Sequence, residues 1–416
     1  MLALCQAIAL RATAFPCGKN CGTLPIRPLK VAVLQGFFHL SSTAIRSSRI
    51  DFLRGVAIFT VLLLHFSLTY DLVQSPLAAL FPQPWVAAAV DNGNYGVTMF
   101  FVISGLLITS NNLVRYGQLR DVNLRQFYAF RFARIIPPLL LALLIIVPLG
   151  VLGVPSFSNS DGGHALPATF FVIATLSVLT FWHNVLMQQV GWFNYCLNIY
   201  WSLSVEEVFY LTFPLASRFL RRNGLIVALC CVLIVVAPWY RALHLDDEVS
   251  FECGYLACFD AIAIGCLVAL LNRRVTLSRG RALALRVVAS ATLIVTYFMG
   301  IDGHEVFGFT VVALSTGVIL IQPFDAPEEK LRSLPVRLVC AMGRQSYELY
   351  LFHGIVLATL RNVVPKGTLA YAWKLPVFAL FVVASAWLAW AIAKYYAEVT
   401  NACLRRYFLT GAPART

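Results

Sequence analysis

Long apolar runs separated by short polar loops dominate the chain. Ten of these runs are long enough, or nearly long enough, to cross a lipid bilayer as helices. They lie at about 52–70, 95–110, 135–153, 197–217, 224–240, 255–271, 282–300, 306–321, 345–361 and 375–396. Because a helix satisfies its own backbone hydrogen bonds in lipid, the pattern predicts an all-α polytopic membrane protein with about ten transmembrane helices.

An eleventh apolar run, 168–183, conflicts with the charge of the loops around it. Loop 111–134 carries five arginines and loop 218–223 carries three, and loops of this kind stay in the cytoplasm. Two crossings already separate these loops, so we expect run 168–183 to be re-entrant or to lie at the outer interface. Aromatic residues typical of that interface flank it: Phe181, Trp182, Trp192, Phe193 and Tyr195.

The remaining loops alternate in charge along the chain. Loops 71–94 and 241–254 are acidic and should face outward, whereas the arginines of 273–281 should face inward. The same counting places both termini in the cytoplasm. We divide the chain into a poorly ordered extension (1–48), a transmembrane domain (49–400) and a cytoplasmic tail (401–416).

Composition supports lipid as the solvent and argues against nucleic acid as a partner. Of 416 residues, 59% are hydrophobic and 12% are charged, which is about half the charged fraction of a soluble domain. The net charge of +13 comes from basic residues in short loops and not from a basic helix. Cys17 and Cys21 have no second pair at zinc spacing, so we predict no metal site.

Ionisable side chains inside apolar runs are costly and usually functional, and the first run contains two of them. Arg54 and His65 are eleven residues apart, so on a helix both lie on one face, roughly 16 Å apart along the axis. Arg54 is equally well explained by snorkelling to the inner interface. His65 lies deeper, where a neutral imidazole can act as a general base.

A second arginine pair precedes the third run. Arg131 and Arg134 are one helical turn apart, and two guanidinium groups on one face suit phosphate. Ordinary positive-inside flanking explains the same pair, and for any single pair it is the commoner explanation.

Three further stretches carry polar groups at membrane depth. Ser104, followed by Gly105, favours close helix packing over a direct role, and we also keep Ser104 and Trp201 as candidates for the substrate pocket. Glu206 and Glu207 follow Trp201 in the fourth run, and at least one carboxylate should pair with a buried arginine or histidine, in a structural or a functional ion pair. Near the end of the chain, a polar stripe at every third residue favours a pocket or water path: Tyr347, Tyr350 and His353.

These stretches, taken in order, resemble those of the integral-membrane acyltransferases called acyltransferase family three, which O-acetylate bacterial surface glycans. The resemblance runs from about residue 49 to 396, nearly the whole chain. Its markers are Asp51-Phe-Leu-Arg-Gly with His65, Gly96 to Gly105, Tyr128 to Arg134, Trp201 to Tyr210 and Ser346 to His353. The family usually has a histidine shortly before the tryptophan motif, where this chain has Asn198-Ile-Tyr. We expect no esterase-like domain after the last span.

The resemblance implies a bacterial inner-membrane enzyme with cytoplasmic acyl-CoA, such as acetyl-CoA, as donor and no tightly bound cofactor. Arg131 and Arg134 would hold the donor's phosphates, and Arg54 its thioester or pantetheine arm. His65 would deprotonate an acceptor hydroxyl or carry the acyl group. Glu206 or Glu207 would orient a histidine or balance the arginines.

We expect transfer to an exopolysaccharide or O-antigen hydroxyl. One alternative is an acyltransferase with a macrolide or lipid acceptor. The other is a transporter or flippase that uses the same buried charges, although the chain lacks the inverted halves that such proteins often show.

Overall fold

The computed structural model of the chain describes residues 47–163, 165–321 and 333–410. They form seventeen α-helices in chain order: α1 Ser48–Tyr70, α2 Leu77–Leu80, α3 Gln83–Asp91, α4 Asn94–Tyr116, α5 Leu124–Val151, α6 Phe170–Leu179, α7 His183–Val190, α8 Trp201–Leu220, α9 Asn223–Ala242, α10 Glu248–Cys253, α11 Tyr255–Asn272, α12 Arg279–Met299, α13 Gly308–Ile319, α14 Leu334–Arg344, α15 Ser346–Val363, α16 Lys374–Ile392 and α17 Glu398–Thr410. No β-strand occurs in these ranges, and the all-α prediction is confirmed.

Seven helical stretches of the described part are long and apolar enough to cross a membrane, so the chain is a multi-pass membrane protein. They are Ser48–Tyr70, Gln83–Tyr116, Leu124–Val151, Asn223–Ala242, Glu248–Asn272, Arg279–Met299 and Tyr371–Leu409. The other three predicted crossings also form helices, namely α8, α13 and α15. Helix α13 has only 12 residues, and α8 and α15 carry charged side chains, so the count of ten is not confirmed.

The run at 168–183 is broken in the structure. Helix α6 has 10 residues, which give it a length of about 15 Å, roughly half the thickness of a bilayer core. The chain then turns, and α7 begins at His183. This break supports the prediction that the run does not cross the membrane as one helix.

Helix α4 lies at the centre of the bundle and packs against α1, α11 and α13. Its approach to α11 is so close that a Cβ atom at Gly105 would collide with the carbonyl oxygen of Ile262. Gly265 of α11 faces the carbonyl oxygen of Val102 in the same way. The prediction that the Ser104-Gly105 pair serves close helix packing is therefore confirmed for Gly105.

One buried ion pair joins three helices, and no sequence pattern indicated it. Arg241 Nη2 of α9 donates to Asp260 Oδ2 of α11 at 2.9 Å, and both side chains are 1% exposed. Arg241 Nε donates to the carbonyl oxygen of Val306 at 3.0 Å, and its Nη2 also donates to Thr310 of α13. The guanidinium is thus fully paired, which a buried charge requires.

Two predicted boundaries fall at the edges of the described part. Residues 1–46 of the predicted extension 1–48 lie outside the described part, and α1 begins at Ser48. The predicted tail begins inside α17, which continues to Thr410 and packs against α5. Residues 411–416 lie outside the described part.

Candidate active site

Helix α1 connects two polar regions, one at each end. Arg54 lies near its start and His65 near its end, and the rise per residue separates them by about 16 Å. A cluster of charged side chains surrounds Arg54. A pocket opens beside His65, and we call it the histidine pocket.

Two histidine rings meet beside the histidine pocket, which His65 lines and His353 does not. The rings of His65 and His353 lie edge to face, with centroids 4.9 Å apart and planes at 75°. His65 Nδ1 is 2.9 Å from the carbonyl oxygen of Val61, and His353 Nδ1 is 2.7 Å from that of Tyr350. Because a carbonyl oxygen only accepts, Nδ1 carries the hydrogen in both neutral rings. Each Nε2 then holds a free lone pair, and that of His353 is buried without a hydrogen-bond partner among the described residues.

The histidine pocket has a volume of about 790 Å³ and a mixed wall. Its aromatic lining comprises Trp192, Tyr195, Trp201, Phe251, Phe298 and Tyr350. Its carboxylates are Asp91, Asp161, Glu248, Glu252 and Asp302, and its cations are Arg361 and Lys366. Aromatic faces together with convergent carboxylates suit a ligand with many hydroxyl groups, since the faces cover its apolar patches and the carboxylates accept its hydrogen bonds.

Hydrogen bonds across the bundle hold the wall of the histidine pocket in place. Tyr350 donates to the carbonyl oxygen of Ile199 at 2.8 Å and accepts from Ser202 Oγ at 2.6 Å. The Tyr195 and Thr69 hydroxyls are 2.6 Å apart, which ties the wall to α1 close to His65. The lining is therefore fixed by α1, α8 and α15 together.

The other end of α1 collects charges from four helices. Arg54 Nε donates to Ser346 Oγ of α15 at 3.0 Å. The guanidinium also lies within electrostatic range of four charged groups, one each from α1, α5, α8 and α15: Asp51, Arg134, Glu206 and Glu348. Arg54, Arg134 and Glu206 are thus brought together, and their role in a donor site stays a prediction.

Arg131 is stacked and not ion-paired. Its guanidinium carbon lies 3.9 Å from the centre of the Tyr210 ring. The Tyr210 hydroxyl is bonded to Ser104 and lies 3.4 Å from Glu206 Oε1. The short polar chain from Ser104 to Glu206 therefore runs under Arg131. Arg134, one turn later, is exposed.

The expected ion pair at Glu206 or Glu207 is absent. Only two ion pairs occur within the described ranges, Arg120–Asp121 and Arg241–Asp260. The physical reason is that Tyr210 occupies the space between Arg131 and Glu206. Glu207 is buried, and its Oε1 has no hydrogen-bond partner in the described part.

The structure separates the predicted polar stripe of α15 into three roles. Tyr350 lines the histidine pocket, whereas His353 lies behind His65. Tyr347 instead donates to the carbonyl oxygen of Ile135 on α5 at 2.9 Å. Ser104, bonded to Tyr210, is likewise not among the residues that line the pocket.

Two residues near the site, Tyr210 and Glu252, were not predicted from the sequence. Tyr210 follows Glu206 by one helical turn, and this spacing could have revealed it. Glu252 was counted only as loop charge, although it is buried and accepts a hydrogen bond from Asn94 Nδ2 of α4. Nothing in the sequence indicates that the side chains of Asn94 and Glu252 meet.

A profile of the acyltransferase domain matches residues 47–394, most of the chain. The chain therefore belongs to acyltransferase family three and is an enzyme that transfers acyl groups. The resemblance stated from its motifs is confirmed.

Curated relatives include peptidoglycan O-acetyltransferases. The peptidoglycan O-acetyltransferase OatA of Listeria monocytogenes is 26% identical over 359 residues, or 80% of this chain and 53% of the relative. The O-acetyltransferase OatA of Staphylococcus aureus is 24% identical over 298 residues, or 67% and 48%. The putative peptidoglycan O-acetyltransferase YrhL of Bacillus subtilis is 25% identical over 348 residues, or 74% and 49%. The chain spans about half the length of these relatives. No solved structure gives a significant match.

Proposed function

We propose that the chain transfers an acetyl group from cytoplasmic acetyl-CoA to a hydroxyl group of a cell-surface glycan. In this proposal it works in the bacterial inner membrane with both termini in the cytoplasm. The observation that carries the proposal is the arrangement on α1, where one helix presents Arg54 among charged side chains at one end and a histidine with a free Nε2 at the other.

The chemistry assigned to His65 is general-base catalysis. Its Nε2 takes the proton of the acceptor hydroxyl while that oxygen attacks the thioester carbonyl carbon. The carbon–sulfur bond breaks, and the leaving thiolate receives the proton back from the imidazolium. A variant of the same scheme lets His65 Nε2 carry the acetyl group between donor and acceptor.

Arg54, Arg131 and Arg134 are assigned to binding the donor. Arg131 and Arg134 would bind phosphate groups of coenzyme A, because guanidinium groups pair well with phosphate. Arg54 shares α1 with His65 and lies within electrostatic range of Arg134, and it would orient the pantetheine arm or the thioester. Glu206 and Glu207 would balance the positive charge beneath the donor, since Arg131 and Arg134 both lie within their electrostatic range.

The histidine pocket is assigned to the acceptor. Its aromatic and carboxylate lining suits a sugar, and its carboxylates Asp91 and Glu248 come from the acidic loops predicted to face outward. The names of the relatives point to peptidoglycan as the glycan class. On this assignment the donor and the acceptor enter from opposite faces and meet at His65.

The proposal is tested in cells that carry the chain as their sole acyltransferase of this family. Ester-linked acetate is released from purified envelope glycan by mild alkali and measured. We expect ester with the wild-type chain and none with His65→Ala.

His244→Ala is the matched control. His244 also bonds through Nδ1 to a carbonyl one turn earlier, that of Tyr240, but it does not line the histidine pocket. It should retain full acetylation. Equal glycan ester in the His65→Ala and wild-type cells would contradict the proposal.

A further inference from the structure

Four arginines from three helices gather beside the donor end of the site, and two of them have no assigned role. Arg115 ends α4, Arg131 and Arg134 belong to α5, and Arg405 belongs to α17. The guanidinium carbons of Arg115 and Arg405 lie 4.9 Å and 4.8 Å from the centre of the same ring, that of Phe130. We call these residues the four-arginine cluster.

The positive charge of the four-arginine cluster is only partly balanced by nearby carboxylates. Arg115, Arg131 and Arg134 all act electrostatically on Arg405, and none of the four forms an ion pair in the described ranges. Arg131 and Arg134 lie within electrostatic range of Glu206 and Glu207, whereas the charged side chains that act on Arg405 are the three other arginines of the cluster. Like charges held this close repel one another, so a bound anion would stabilise the arrangement.

Arg405 also has an unused donor. Its Nε is buried and has no hydrogen-bond partner among the described residues. A buried, unpaired charged donor is costly unless a ligand satisfies it. Positive-inside flanking explains basic residues scattered in loops, but it does not require two guanidinium groups over one ring.

The backbone brings Arg405 to this place by a specific distortion. A π-helical turn, Ala393–Ala397, separates α16 from α17. Helix α17 then packs against α5, with Phe408 edge to face with Phe132 at 6.3 Å. Such π-turns frequently mark functional positions.

We propose that Arg115 and Arg405 bind phosphate groups of the nucleotide part of an acyl-coenzyme A donor, beside Arg131 and Arg134. This inference rests on the proposed function. Coenzyme A carries a diphosphate and a ribose phosphate, enough negative charge to balance four guanidinium groups. Arg134 connects the two regions, because it acts on Arg405 on one side and on Arg54 on the other. The nucleotide therefore sits at the four-arginine cluster, and the pantetheine arm extends past Arg54 toward His65.

The test compares two donors that differ only in the nucleotide. Purified protein in phosphatidylcholine nanodiscs is titrated with acetyl-CoA and with S-acetylpantetheine, which lacks the nucleotide phosphates. We expect Arg115→Gln and Arg405→Gln each to weaken acetyl-CoA binding about tenfold or more and to leave S-acetylpantetheine binding unchanged. Arg405→Lys should fall between the wild type and Arg405→Gln, because lysine keeps the charge but loses the fork.

Arg406→Gln is the control, since it removes the same charge from an exposed neighbour on the same helix, and it should change acetyl-CoA affinity less than about twofold. Unchanged acetyl-CoA affinity in Arg115→Gln and Arg405→Gln, with a wild-type chain that binds, overturns this inference alone. A wild-type chain that does not bind acetyl-CoA overturns the proposed donor as well.

An anionic lipid headgroup offers the same phosphate chemistry. Nanodiscs with added phosphatidylglycerol distinguish this source, because a lipid site would bind fewer phosphatidylglycerol molecules in the arginine variants. That loss without a change in acetyl-CoA affinity also overturns the inference.

Discussion

His65 and His353 lie edge to face at 4.9 Å, although they belong to the first and the fifteenth helices of the described chain. Each donates from Nδ1 to a carbonyl oxygen of its own helix, so both rings are fixed in the same tautomer. The lone pair of His353 Nε2 is a hydrogen-bond acceptor that a protonated His65 could use. The two imidazoles are therefore expected to act as one unit.

A double substitution tests whether the histidines act as one unit. His65→Ala should lower turnover by about 10²–10⁴-fold, the range typical of a positioned base. His353→Phe, which keeps a ring of similar volume, should lower it less. The double variant should be no worse than His65→Ala alone, because residues that work together have non-additive effects. Losses that multiply in the double variant would mean that His353 acts independently.

The arginines of α5 are expected to act on donor binding. In the proposed function, Arg131→Ala and Arg134→Ala would each remove a charge-assisted phosphate contact of about 1.5–3 kcal/mol, so each should weaken acyl-CoA binding by about ten- to one-hundred-fold. Binding should also weaken as salt is raised. Arg125→Ala, an exposed arginine of the same helix, is the control. Unchanged affinity in the Arg131→Ala/Arg134→Ala double variant would leave both residues with a topological role only.

The path of the chain around α6 predicts a labelling pattern. Single cysteines at Gln118, Ala165 and Asn223, all exposed positions, are introduced after the eleven natural cysteines have been replaced. An impermeant thiol reagent applied to intact spheroplasts should label position 165 alone. Labelling at 223 from outside would mean that the 168–183 region crosses the membrane after all.

The buried ion pair predicts a stability effect away from the site. Asp260→Ala leaves Arg241 charged and buried, and breaking such a pair costs about 3–5 kcal/mol. Asp121→Ala removes the same group from the Arg120–Asp121 pair, whose side chains are 51% and 53% exposed, and should cost less than about 1 kcal/mol. Unfolding in detergent micelles compares the two. Equal losses would show that the Arg241–Asp260 pair is not needed for stability.

Much of the fold could be predicted because lipid imposes a simple rule on apolar runs. Runs such as 52–70 and 224–240 became α1 and α9, since their length alone requires a spanning helix. Whether α8 and α15 cross the membrane was harder to predict. Their charged side chains lower their hydropathy, and only packing against other helices explains why they are buried.

The site was only partly predictable, for a geometric reason. Arg54 and His65 share one helix, so their separation follows from helical rise. The neighbours of each come from distant helices: His353 meets His65, and Ser346 meets Arg54. Arg405 was predicted to belong to a tail because nothing in the sequence places α17 against α5. Contacts of this kind depend on tertiary packing and not on local pattern.

In the proposed mechanism, acetyl-CoA and the acceptor approach His65 from opposite faces of the membrane. Proteoliposomes are prepared with soluble peptidoglycan fragments inside and radiolabelled acetyl-CoA outside, and alkali-labile label on the fragments is measured. We expect label to appear when the Arg131 face of the chain is outside, and none with His65→Ala in the same orientation. Labelling only when acetyl-CoA and the fragments share one side of the membrane would contradict this mechanism. Labelling by His65→Ala equal to that by the wild-type chain would also contradict it.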